Sequence, residues 1–397
     1  MTTRAAVLLR RPEDPRPPTF LELLFDVVFV LAFVQLSQML VEDLSWSGGV
    51  KMLMLLLPLS VAFAGIARAG TRFDPRRLPI QLLVLGTMLG TLGMASATPK
   101  AFGERGLYFA GAYVVIQIGG SVVLVCLLRG HEAQRIEVRR VFWYSVSAVP
   151  WIIGGLAQGW ARVALWALAV TVDYAAAALR LPTPGLGRAS AAEFELSGEH
   201  LELSGEHLAD RYRQLFIIGL GELVLVTGLT FDSSGFRANQ GAAVVAAFAT
   251  TALLWRIYIY RAGELMAEAM TPAPRPVRVR PVVDTHLIMV AGIIAIAVGY
   301  KLVIEHPLGH TQPAWIAVIL GGPALFLAGR TLFEYAVFGH VSWTWAIGVL
   351  VLAAISPAMF VLPPLGVATA APLVLAGVAV ADTVRSPRRR PQPARAG

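Results

Sequence analysis

Leu21 to Leu40 reads LELLFDVVFVLAFVQLSQML. At about 1.5 Å per helical residue it is long enough to cross a hydrocarbon core of roughly 30 Å. Yet it carries Glu22 and Asp26, four apart and so on one helical face, and Phe29, Phe33 and Ser37 continue that stripe. Carboxylates are costly in hydrocarbon and face a bundle interior or a wet cavity. The stretch therefore predicts a membrane-crossing helix whose acidic, aromatic stripe turns inward, and an inward stripe needs other spans around it.

The rest of the chain supplies them. Of 397 residues, 56% are hydrophobic and only 15% charged, with a mean hydropathy of +0.65. That balance excludes an ordinary soluble domain. The predicted fold is all-α: a polytopic transmembrane helical bundle of about twelve spans with both termini cytoplasmic. The net charge of +8 does not point to nucleic acid, because the arginines lie in short loops and the tail, where the positive-inside rule places them. Membrane lipids are the expected surroundings, in the cytoplasmic (inner) membrane, and the oligomeric state stays open. The single cysteine, Cys126, allows no intrachain disulfide. The first apolar run is too long for a signal-peptide core and no small-residue cleavage site follows it, so it is expected to be a retained anchor.

Residues 1–18, with Arg4, Arg10, Arg11 and Arg16, read as a cytoplasmic segment. Spans one to six are expected within about 21–180, near 21–40, 50–69, 78–97, 106–128, 141–159 and 161–179. Basic loops follow Arg68 and fill 129–140. Residues 181–212 read as a cytoplasmic linker. It contains an exact tandem copy, ELSGEHL at Glu195–Leu201 and again at Glu202–Leu208, with Ser204 as the expected N-cap of the next helix. Spans seven to twelve are expected within about 213–382, and residues 383–397 read as a basic, disordered cytoplasmic tail.

Ionisable groups recur inside these spans. Asp173 lies in the sixth. Arg211, Leu215, Ile218, Glu222 and Leu229 share one face of the seventh, leaving Glu222 as its intramembrane charge. Arg256, between Trp255 and Tyr258 on the eighth, is the expected counter-charge of Glu222. His286 opens the ninth span as a candidate proton relay, and Tyr300 lies near that span's end. Glu206 and His207 read either as capping residues or as part of a site. Arg330 and Glu334, four apart, read as a helix-surface pair.

Other chemistry finds no motif. Gly219-x-Gly221 lacks the third glycine and the preceding strand of a dinucleotide loop. No His/Cys cluster has metal-ligand spacing, and there is no P-loop or nucleophile elbow. No cofactor and no metal is expected.

Four stretches resemble the signatures of a known family. Phe20-Leu-Glu22-Leu-Leu-Phe25-Asp26-Val-Val-Phe29-Val is similar to the opening signature of the bacterial low temperature requirement A family. Glu206-His207-Leu-Ala-Asp210-Arg211-Tyr with Ile217-Ile-Gly-Leu-Gly221-Glu222 resembles the second. Thr285-His286-Leu through Ala297-Val-Gly299-Tyr300 resembles the third, and Gly321-Gly-Pro-Ala-Leu-Phe the fourth. The resemblance spans roughly residues 19–380. It implies a polytopic membrane protein and no particular chemistry, since the family's biochemical activity is not established. Of the two Glu-His pairs, the second fits the family position, because Asp-Arg-Tyr follows it directly.

Several inward charges on different spans are the pattern of coupling sites, so the first expectation is a transporter of small molecules or ions. The alternatives are a membrane-embedded enzyme that uses a desolvated carboxyl as general acid or base on a lipid-soluble substrate, and a stress-tolerance scaffold whose charges are structural.

Overall fold

The computed structural model describes residues 7–10, 19–190, 193, 201–269, 279–339 and 341–385. Among them the secondary structure is helical apart from two isolated bridges. The helices are α1 (Phe20–Glu42), α2 (Trp46–Arg72), α3 (Leu78–Ala97), α4 (Gly106–Val114), α5 (Gly120–Leu127), α6 (Gln134–Leu156), α7 (Gly159–Ala178), α8 (Leu201–Ser234), α9 (Ala238–Ala269), α10 (Val279–Glu305), α11 (Pro313–Ile319), α12 (Gly321–Phe338), α13 (Trp343–Ile355) and α14 (Pro364–Arg385). A π-helical turn, Val115–Gly119, joins α4 to α5 without a break.

Eleven helical segments are long and apolar enough to cross a membrane, which makes the chain a polytopic helical bundle. The remaining long helix, α6, falls short in composition only, because Arg135, Glu137, Arg139 and Arg140 occupy its first turns. Residues 129–140, expected to be a solvated basic loop, are thus helical from Gln134, and Glu137, Arg139 and Arg140 are buried. The reason is pairing: Glu137 accepts from Arg140 at 2.9 Å, and Arg139 donates to Gly187 O at 2.6 Å and Leu186 O at 2.9 Å.

Helix α10 is the most buried span and packs against α1, α8, α9, α12 and α14. Its closest neighbour is α12. A Cβ at Gly292 would stand 2.7 Å from Phe326 N, and one at Gly322 would stand 2.9 Å from Ile296 N, so backbone meets backbone there. Small residues drive such contacts in lipid, where no hydrophobic effect separates helix from tail. Around this pair, α1 and α2 join the first half to α8 and α10 of the second. Arg330 and Glu334 lie on α12 and are fully buried, not on the surface as their spacing suggested. Glu334 accepts from Trp345 Nε1 at 2.9 Å, and the Arg330 guanidinium lies 5.4 Å from the rings of both Phe333 and Trp345.

The N-terminus and the tail, expected as polar cytoplasmic segments, fall mostly outside the described residues, as does the first ELSGEHL copy. Residues 7–10 lie along the α2 exit: Arg10 N donates to Arg72 O and Asp74 N to Leu8 O, both at 2.9 Å. The second ELSGEHL copy is already inside α8, so the helix starts at or before Leu201 and not at Ser204.

Candidate functional site

The site grows from the capping of α1. Thr19 is its N-cap, and Glu22 closes a capping box, its Oε2 accepting from Thr19 N at 2.8 Å and Thr19 Oγ1 at 3.0 Å. The other carboxylate oxygen of Glu22 lies 2.9 Å from His207 Nε2 on α8. One turn on, Arg211 grips Asp26 with both terminal nitrogens, at 2.8 and 2.6 Å, and also donates to Gln214 at 2.6 Å. Its guanidinium lies 4.9 Å from the centre of the Phe63 ring on α2. Glu22, Asp26, His207 and Arg211 are all buried.

Both pairs are separated by 185 residues in sequence. Adding the same spacing to Ser37 gives Glu222, and Ser37 is indeed the polar neighbour of Glu222. Helices α1 and α8 therefore run parallel in one constant register, stacking three polar layers: Glu22 with His207, Asp26 with Arg211, and Ser37 with Glu222. Eleven residues separate the second layer from the third, or about 16 Å at 1.5 Å per residue. That is close to half of a roughly 30 Å hydrocarbon core. Between these layers lie Phe29 and Phe33, with the Phe29 ring 5.3 Å from Phe63 and Phe63 5.7 Å from Tyr212.

Glu222 is fully buried; its polar neighbour is the Ser37 hydroxyl, and neither carboxyl oxygen has a cationic partner among the described residues. Ser37 Oγ donates to Val34 O at 3.0 Å. The expected pairing of Glu222 with Arg256 is not formed. Arg256 is only partly buried on α9 and donates to Thr383 of α14 at 3.2 Å. Arg211 is the cation of this interface instead, because the stripe that carries Glu222 also carries Arg211 three turns earlier.

The other residues singled out in sequence lie apart from the polar stack. Asp173 on α7 accepts from Tyr113 at 2.8 Å and Trp151 at 3.3 Å, inside an aromatic group with Trp166. Tyr300 shares a hydrogen bond with Thr250 at 2.6 Å and donates to Ala368 O at 3.0 Å, a tie between α9, α10 and α14. His286 flanks the stack: its Nε2 lies 2.8 Å from Tyr258 Oη, and its ring is 5.3 Å from that of Tyr212. Glu206 lies on α8, and its side chain is outside the described residues.

Sequence reasoning missed Gly70. A Cβ there would run into Glu22 Oε1 and stand 2.8 Å from His207 Nε2, so a glycine lets α2 close over the first layer without displacing either side chain. The signal in sequence is faint: a glycine between Arg68 and Arg72 in an otherwise helical run. Among the described residues no group of three or more His, Cys, Asp or Glu side chains is placed to hold a metal ion.

A bundle of hydrophobic spans with paired charges between its helices defines a multi-pass integral membrane protein. The chain matches the family described as "Bacterial low temperature requirement A protein (LtrA)" over residues 18–380, and it belongs to that family. It is similar to the "Uncharacterized protein RA0937" of Rhizobium meliloti (strain 1021), with 32% identity over 326 residues, covering 81% of this chain and 78% of that relative. No solved structure matches it.

Proposed function

We propose that this protein is a transporter of small molecules or ions in the cytoplasmic membrane, with the α1–α8 interface as its coupling site. The observation that carries the reading is Glu222. It is a fully buried carboxyl midway along the Asp210–Ser234 span, with the Ser37 hydroxyl beside it and no cationic partner among the described residues. An uncompensated carboxylate costs several kcal/mol in such surroundings. Charge at Glu222 therefore has to arrive with a cation or leave with a proton, which is the requirement for coupling.

The remaining layers support the same reading. Asp26 is already neutralised by Arg211, and Glu22 is tied to Thr19 and His207, so neither has the open valence of Glu222. Phe29, Phe33, Phe63 and Tyr212 form an apolar plug between the charged end of the interface and Glu222. Parallel packing of the first helices of the two halves suits transporters that bind substrate between repeats. In this mechanism the two halves separate along α1 and α8, the plug opens, and Glu222 exchanges its proton or cation with one side.

The test is metabolite profiling of a strain lacking the protein, with cells and medium measured separately and wild type restored as control. A compound that shifts between cells and medium with its total unchanged supports transport. A compound that disappears while a precursor accumulates refutes it in favour of a membrane-embedded enzyme.

A further inference from the structure

A second charged cluster lies on the opposite side of α2 from Gly70. Arg72 Nη1 and Arg140 Nη1 both donate to Glu137 Oε1, at 2.6 and 2.9 Å, and all three residues are buried. They border a narrow pocket of about 70 Å³, in part open to the surface, between α2, α3, α4–α5 and α6. Arg68, Gln117, Ser121 and Tyr144 complete its polar wall, and Leu83, Ile116 and Leu124 its apolar one. Three guanidiniums, of Arg68, Arg72 and Arg140, and the Glu137 carboxylate border it. Arg72 is 8% exposed and its Nε and Nη2 lie buried without a hydrogen bond; Gln117 is 7% exposed, with its side chain beside the Tyr113 hydroxyl. Gln117 sits on the π-helical turn Val115–Gly119, a local widening frequent at functional sites.

Buried guanidinium nitrogens without acceptors are costly, and an oxyanion is the group that satisfies them in geometry and charge. Glu137 opposes such a ligand, but its Oε1 is already shared by two arginines. We propose that this pocket binds a phosphate group against Arg72 and Gln117, with Arg68 and Arg140 alongside. The phosphate can come from an anionic phospholipid headgroup, which the apolar wall on α3 and α4–α5 favours, or from a soluble phosphate.

The test uses the full chain in phosphatidylcholine nanodiscs with and without phosphatidylglycerol, and in detergent titrated with inorganic phosphate. Retained lipid is read by native mass spectrometry and ligand protection by the unfolding midpoint. The variants are Arg72→Gln and Gln117→Leu. The second leaves the Arg72–Glu137–Arg140 contacts in place and decides the matter if the first does not fold. Each variant is expected to weaken binding about tenfold or more, the usual value of a hydrogen bond to a charged group. Selective retention of phosphatidylglycerol by wild type, lost in the variants, supports the proposal with a lipid source. Protection by inorganic phosphate without lipid preference, lost in the variants, supports it with a soluble source. No preference for either ligand, or equal binding by wild type and Gln117→Leu, overturns it.

Discussion

Replacing Gly70 with alanine is expected to open the first polar layer. The added methyl would run into Glu22 Oε1, so the carboxylate has to leave His207. The lost hydrogen bond, to a charged partner, is worth about 1.5–3 kcal/mol. Disturbing the capping box costs about 1 kcal/mol more, and alanine's better helix propensity offsets about 0.5–1 kcal/mol. The net expectation is a destabilisation of about 2–3 kcal/mol. Gly65, one and a half turns earlier on α2, is the matched control: its nearest neighbour would be Arg68 Nη2 at 4.0 Å. Gly65→Ala should therefore be neutral, or stabilising by about 0.5–1 kcal/mol. The assay is equilibrium unfolding in mixed micelles followed by tryptophan fluorescence. In a Glu22→Ala background the cost of Gly70→Ala should fall, since the obstructing carboxylate is gone and only the approach to His207 Nε2 remains. Equal stability of the two glycine variants, or an undiminished cost without Glu22, refutes the assigned contact.

Arg211→Gln should destabilise the protein by about 3–5 kcal/mol, because it leaves Asp26 buried and unpaired, and adding Asp26→Asn should recover much of that loss in the same unfolding assay. Gly292→Leu or Gly322→Leu should abolish accumulation of folded protein in the membrane, since backbone atoms of the partner helix lie 2.7 and 2.9 Å from the added Cβ; normal levels on size-exclusion chromatography would contradict the α10–α12 contact. Asp43, in the loop after α1, is held below the ordinary carboxylate range by the Ser45 hydroxyl and Lys51. A depressed folded value means that its small stabilising share is present above about pH 4 and is lost as pH falls through that lower value; Asp43→Asn should remove that part of the acid sensitivity of unfolding.

The inward face of α1 was legible in sequence because spacing alone puts Glu22, Asp26, Phe29, Phe33 and Ser37 on one side of a helix. Their partners were not, since His207, Arg211 and Glu222 lie 185 residues further on and periodicity says nothing about which two helices meet. The same stripe logic on α8 singled out Arg211 and Glu222, yet it gave Glu222 the wrong cation. Arg256, on α9, reaches Thr383 on α14 instead. Arg72 and Arg140 read as topology signals because arginines beside a span ordinarily face the cytoplasm. Here a glutamate three residues before Arg140 draws them inside. Gly70 and the α10–α12 glycines escaped notice because a glycine's role in a helix depends on what approaches it.

The central claim is that Glu222 couples transport to a proton or cation. Its most direct test offers the compound identified by metabolite profiling to proteoliposomes holding wild type or Glu222→Gln, each under an imposed proton or sodium gradient. Wild type is expected to accumulate the compound against its concentration gradient under one of these driving forces. Glu222→Gln, equally folded, should fail to do so. Equal accumulation by the two proteins, or none by wild type under either gradient, would contradict it.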